Sequence, residues 1–268
     1  MCGITGVVGL KSISELLFEG VRNLEYRGYD SCGVALMNKT RLIIKKDTGG
    51  VEEFYRKHNV LQLKSKIGIA HTRWATHGKV TQNNTHPFTS SDGNFAVVHN
   101  GIISNYRPLR QQLKKEGFKF SSETDTEVLT HLIEAIQERD GLPIEEAVRI
   151  ALTRVVGAYA IVVIDKEDPT KIVAARKASP LVVGLGKNEF FLASDATPIV
   201  EYTNRVVYLD DEQIAVVSLE NGLQLRTIGN EEQTPFIHEL DMKIEALEKG
   251  GYEHFMLKEI HEQPKTVA

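Results

Sequence analysis

Beyond Gly157 the chain passes through short β-rich segments joined by links of only a few residues, and this spacing constrains the fold more than any other feature. Residues 158–165, 171–175, 180–184, 189–193, 205–209, 213–219 and 223–227 read as strands, punctuated by turn-forming residues. A parallel crossover needs about a dozen residues. A link such as Glu220-Asn221-Gly222 cannot supply one, so the sheets must be mainly antiparallel. Upstream, residues 4–10 form a short apolar, β-branched run. Segments 32–37 and 41–46 suit a hairpin across Asn38-Lys39-Thr40, and 66–71 and 94–99 are further strands. Helical spacing recurs over 12–24, where Ile13, Leu16, Leu17, Val21 and Leu24 share a face, and then over 105–116, 124–139 and 144–155. Thr124-Asp125-Thr126-Glu127 has the form of a capping box opening the third of these helices. Helices set between strand groups must cover sheet faces, which predicts a layered α+β architecture.

The 268 residues are enough for one large domain or two small ones. A hydrophobic share of 41%, a charged share of 25% and a net charge of -4 describe an ordinary globular chain and argue against nucleic acid as main partner. Basic residues occur as isolated pairs such as Lys45-Lys46 and Lys114-Lys115. The apolar run near the start is too short for a signal core or a membrane span, so a cytoplasmic protein without a membrane partner is expected. Two cysteines, Cys2 and Cys32, exclude a disulfide framework, and Cys32 reads as an inert core residue within a strand.

Cys2 stands apart. Removal of Met1, which the small Cys2 side chain permits, puts a thiol and the α-amine on one residue. An α-amine titrates near pH ~7.7–8.0 and a thiol near ~8.5, so the amine can take the thiol's proton near neutrality. A peptide bond left at the Cys2 nitrogen would abolish that base. On its own, however, a cysteine here also reads as a small apolar residue opening a buried strand.

A thiolate attacking an amide carbonyl needs donors where the oxyanion develops. His99-Asn100-Gly101-Ile102 offers a side-chain amide beside a backbone N–H at a glycine, although Asn-Gly between apolar runs is equally a hairpin turn. The stretch 71–78 gathers Arg73, Trp74, Thr76 and His77. Arg73 can clamp a carboxylate bidentately, and Trp74 and His77 can form a lid hinged at Gly78. The alternative makes Trp74 a core anchor and Arg73 a surface cation. Asp125 at a helix start is favoured by the macrodipole, by ~0.3–1 kcal/mol; facing the Cys2 strand, it would instead hold an ammonium group. Tyr26-Arg27-Gly28-Tyr29-Asp30 reads as a helix C-terminal cap with Gly28 left-handed, and Arg27 could orient groups near the nucleophile. The spacing of His71, His77, His86 and His99 matches no metal-ligand pattern.

Taken together, these stretches resemble the glutaminase domain of the glutamine:fructose-6-phosphate amidotransferases, a branch of the class II glutamine amidotransferases. The residues that carry the likeness are Met-Cys-Gly-Ile at 1–4, Leu-Glu-Tyr-Arg-Gly-Tyr-Asp-Ser at 24–31, His-Thr-Arg-Trp-Ala-Thr-His-Gly at 71–78, His86-Pro87, His-Asn-Gly-Ile at 99–102, Ser-Glu-Thr-Asp-Thr-Glu at 122–127 and Lys-Glu-Ile-His-Glu-Gln-Pro at 258–264. The resemblance implies a four-layer αββα sandwich of antiparallel sheets, of the N-terminal nucleophile hydrolase type. It also implies that Cys2 is the nucleophile, that Asn100 and Gly101 form the oxyanion hole, and that Arg27 and Gly28 lie near the terminal amine. Arg73, Trp74, Thr76, His77 and Asp125 would bind L-glutamine, with no metal or organic cofactor. Residues 1–240 would be the glutaminase domain and 241–268 a tail or linker towards a sugar isomerase domain absent from this chain. Two alternatives stay open: a catalytically silent glutamine-binding regulatory module, and the glutaminase half of a purine-pathway amidotransferase.

Overall fold

The structure is a computed structural model and describes residues 2–39, 41–75, 78–240, 252 and 254–266. Met1, Thr76 and His77, residues 241–251 of the expected linker, and Thr40 of the expected hairpin link lie outside the described residues.

Two antiparallel sheets form the centre. The first contains, in spatial order, β15 (His238–Glu239), β11 (Arg205–Tyr208), β9 (Val182–Leu185), β10 (Glu189–Ala193), β1 (Gly3–Gly9), β4 (Ile67–Arg73), β2 (Ser31–Asn38) and β3 (Arg41–Thr48). The second runs β14 (Glu232–Gln233), β13 (Gly222–Thr227), β12 (Gln213–Ser218), β8 (Lys171–Lys177), β7 (Gly157–Asp165), β6 (Phe95–Ile103) and β5 (Phe88–Thr89). The hairpin expected at 38–40 is present, with Asn38 opposite Arg41.

Side chains in a strand alternate between faces, and the apolar clusters divide along that alternation. Ile4, Val8, Ile67 and Ile69 of the first sheet pack against Ala96, Val98, Ala160 and Val162 of the second. The intervening residues face outward: Val7, Val34 and Ala70 meet α1 (Ser14–Arg22) and α2 (Val51–Lys57). On the far side, Phe95, Val97, Ile161 and Val163 meet α3 (Tyr106–Lys115), α4 (Asp125–Asp140) and α5 (Ile144–Leu152). The layers are therefore helix, sheet, sheet, helix, as the resemblance implied. A one-residue slip of β4 would exchange Ile67 and Ile69 for Gly68 and Ala70 between the sheets. Each isoleucine contributes about 1.5–3 kcal/mol by burial, so the register is firmly held.

Several expectations need correction. Strand β6 does not stop at residue 99: it continues through Asn100 and Gly101, paired with Ala160 and Tyr159 of β7, so Asn-Gly is not a hairpin turn. Gly101 instead has φ +136°, and a Cβ there would lie 2.1 Å from the Ala158 oxygen. Gly28 is extended (φ -176°) rather than left-handed. Thr124 caps α4 as read, its hydroxyl accepting from the Glu127 amide at 3.4 Å. The Glu127 carboxylate, however, reaches past the cap to the amides of Ser121 and Ser122. Helix α2 had no counterpart in the sequence reading. At the chain's end a helix spans Phe255–Thr266 with Pro264 inside it. Among the described residues no helix is long and apolar enough to cross a membrane.

Candidate active site

The alternation that builds the core also builds the site. On β4 the inward series Ile67, Ile69 continues to His71 and Arg73; on β6 Ala96 and Val98 continue to Asn100; on β1 Ile4 is preceded two residues earlier by Cys2. Gly3 pairs with Thr72, which sets Cys2 beside the end of β4. Where the apolar filling stops, one rim between the sheets therefore collects a thiol, an amide, an imidazole and a guanidinium.

Cys2 is half-buried. Its Sγ accepts the Trp74 amide at 3.2 Å and lies 3.5 Å from the Trp74 carbonyl. Burial pushes the thiol pKa up, opposed by the Trp74 N–H and by Arg73. Asn100 bridges the two sheets, its Nδ2 donating to the Cys2 carbonyl at 3.0 Å while its Oδ1 lies 2.9 Å from His71 Nε2.

Arg73 is buried, 4% exposed, which removes the surface-cation reading. Burial pulls its pKa down, against attraction from Cys2, Asp30 and Asp125. Its Nη1 donates to the Lys79 carbonyl at 3.3 Å. Asp125 is the first residue of α4 and its Oδ2 accepts the Ile103 amide at 2.7 Å, docking the helix start onto the end of β6. Trp74 is 44% exposed with its ring edge-on to Tyr29 at 5.5 Å, so it is no core anchor. Thr76 and His77 lie outside the described residues.

The flanks of the loop carrying Trp74 are pinned by residues the sequence reading had given no role. Asp30 Oδ2 accepts the Ala75 amide at 2.7 Å. On the other flank Asn84 Nδ2 donates to the Lys79 carbonyl at 3.0 Å and to Glu123 at 3.2 Å. Gly28 is required by close approach, since a Cβ would sit 2.7 Å from the Trp74 nitrogen. Arg27 is buried and donates from Nη1 to the Ser194 carbonyl and to Asp195 Oδ2, both at 3.1 Å. Ser194 Oγ in turn accepts the Ile4 amide at 3.1 Å, so Arg27 braces the strand that carries Cys2. Tyr26, Arg27, Trp74 and Asp195 line a cavity of about 350 Å³. The Asp195 contact had one local signal, a Ser-Asp-Ala-Thr turn directly after an apolar strand, in which Asp195 Oδ1 accepts the Thr197 amide.

Behind Asn100 lies a buried group of histidines. His71 stacks on His86 with ring centroids 4.0 Å apart. His86 Nε2 and His99 Nδ1 both meet the Thr126 hydroxyl, at 3.1 and 2.9 Å. Burial depresses all three, His71 to about 3, so they are neutral near pH 7.

A family model described as "Glutamine amidotransferase domain" matches residues 71–201. Curated relatives named glutamine–fructose-6-phosphate aminotransferase (isomerizing) are similar along the whole chain: 51% identity in Chlorobaculum tepidum, 50% in Bacteroides thetaiotaomicron and 47% in Pyrococcus horikoshii. The chain spans 44% of the length of each of these relatives. Among solved structures, glutamine phosphoribosylpyrophosphate amidotransferase from B. subtilis superposes with TM-score 0.73 at 25% identity, over 85% of this chain and 49% of that one. A glutamine aminotransferase class-II domain protein from Silicibacter pomeroyi shares the fold, with TM-score 0.59 at 18% identity over 85% of this chain and 99% of that one.

Proposed function

The chain belongs to the glutamine amidotransferases, and from that premise we propose that it hydrolyses L-glutamine to glutamate and ammonia through a γ-glutamyl thioester on Cys2. The observation that carries this reading is the meeting of Cys2, Asn100 and Arg73 at one rim, with Asp125 opposite at the start of α4.

Glutamine offers a carboxylate and an ammonium at one end and an amide at the other. Buried Arg73 answers the carboxylate and Asp125 the ammonium, leaving the side chain to run towards Cys2. Once Met1 is removed, the α-amine takes the thiol proton and Sγ attacks the amide carbon. Charge then develops on the carbonyl oxygen, where Asn100 Nδ2 and the Gly101 amide stabilise it; one such donor is typically worth a factor of ~10²–10³ in rate. The α-ammonium returns its proton to the leaving nitrogen and ammonia departs. Water, activated by the same amine, cleaves the thioester to glutamate. Arg27 and Gly28 hold the strand and loop that frame the amine, while Trp74, Thr76 and His77 belong to the segment that closes over glutamine.

The ammonia acceptor is assigned by similarity. The relatives at 47–51% identity carry the fructose-6-phosphate name, whereas the purine-type neighbour stands at 25%. The hexosamine branch is therefore preferred, with residues 1–240 as glutaminase and a sugar isomerase domain as partner of residues 241–268. Glutaminase assay of the Cys2→Ala chain tests the reading. Turnover is expected to vanish with the melting temperature unchanged; full turnover would refute it.

A further inference from the structure

The direction in which the Asn100 amide points decides whether it can stabilise an oxyanion, and three neighbours determine that direction. His71 Nε2 lies 3.2 Å from the backbone carbonyl of His99, a group that only accepts. Nε2 must therefore carry the imidazole proton. In the neutral ring Nδ1 is then bare, in keeping with a buried Nδ1 that has no hydrogen-bond partner among the described residues. An Nε2–H at 2.9 Å from the Asn100 side chain can face only its oxygen, which turns the NH₂ group away from His71 and towards Cys2. The Cys2 carbonyl, an acceptor at 3.0 Å from Nδ2, demands the same orientation from the other side. It occupies one of the two amide hydrogens and leaves the other for the reacting carbonyl.

Resting on the amidotransferase reading above, we propose that His71 is a positioning residue for the oxyanion site: its Nε2–H holds Asn100 Oδ1 and so keeps the amide's donor face turned to the nucleophile. The ring is itself well held. His71 is 1% exposed, stacks on His86, and His86 is anchored through Thr126 to α4, the helix whose first residue is Asp125. The same helix thus supports both the substrate-ammonium position and, through two rings, the oxyanion donor.

A positioning role differs from a packing role in where the loss falls and in whether it depends on Asn100. kcat and KM for glutamine are measured on the 268-residue chain as wild type, H71F, N100A and the H71F/N100A double variant. H71F keeps an aromatic ring on His86 but has no donor. It is expected to lower kcat roughly ten- to a hundredfold, with KM within about threefold of wild type, and to cost less than about threefold once Asn100 is gone. H71Q, whose amide nitrogen reaches the Nε2 position, is expected to recover most of kcat. Should H71F fail to fold, H71N, which is polar but too short to reach Asn100, takes its place in the cycle with the same expectations. Wild-type kcat in the donorless variant, or losses that multiply in the double variant, would overturn the role of His71 alone. Absence of turnover in wild-type chain with a free Cys2 amine would instead overturn the amidotransferase reading and this inference with it.

Discussion

Arg73 and Asp125 bring opposite charges into a site with little solvent, and each is held by a backbone group: Arg73 by the Lys79 carbonyl, Asp125 by the Ile103 amide. The second contact shapes any test of the aspartate. Asp125→Ala would remove the charge and also strand a buried N–H, at a cost of roughly 1–3 kcal/mol in stability. Asp125→Asn keeps an oxygen for Ile103 and removes only the charge. If the carboxylate binds the ammonium of glutamine, Asp125→Asn should raise KM roughly ten- to a hundredfold with kcat changed far less; unchanged glutamine dependence would dismiss the role. Residue types were enough to single out Cys2, Arg73, Asn100 and Asp125 as candidates, because thiol, guanidinium, amide and carboxylate each suggest a partner chemistry. They were not enough for Gly28, whose necessity lies in the backbone of Arg73 and Trp74 passing 2.7–2.8 Å from where its Cβ would stand. That approach is a tertiary fact with no local signature.

At the scale of elements, β4, β6 and α4 share the histidine cluster that backs the site, and this cluster makes stability depend on pH. The folded pKa of His71 is depressed to about 3 from an ordinary 6.5, and burial lowers His86 and His99 likewise. The unfolded chain then binds protons below pH ~6.5 that the folded chain refuses, so the stabilisation is present above that pH and is lost as pH falls towards 3. His71 contributes a slope of up to about 1.4 kcal/mol per pH unit inside that window, and His86 and His99 act in the same direction. Urea unfolding followed from about pH 7.5 to about pH 5 should show stability flat at first and then falling, with the slope steepening towards that value. A free energy constant across the range would contradict the buried, neutral cluster. The elements themselves were largely legible. Short β-rich runs and short links predicted antiparallel strands, and the Thr124 cap predicted α4. The extension of β6 through Gly101 was not legible, since Asn-Gly carries the same local signal in a turn as in a strand whose glycine adopts φ +136°. Helix α2 was missed because its seven residues, with Val51, Phe54 and Tyr55 buried, give too short a run for helical periodicity to register.

At the scale of the molecule, the two sheets act as one clamp. Their shared apolar filling of Ile4, Ile69, Val98 and Val162 sets the register of the strands whose next inward positions are Cys2, His71, Arg73 and Asn100. Strand order lies beyond sequence periodicity, which shows the alternating face of each strand but not its neighbour. That β1 lies between β10 and β4 is decided by long-range pairing. The account as a whole predicts that one residue carries both sulfur and free amine and that the sulfur is acylated during turnover. Acid quenching of the chain during glutamine turnover, followed by mass analysis of its first peptide, tests this directly. The expected peptide begins at Cys2 and carries a single γ-glutamyl group that hydroxylamine removes. A turning-over chain whose first peptide retains Met1, or whose Cys2 stays unacylated while glutamate accumulates, would contradict it.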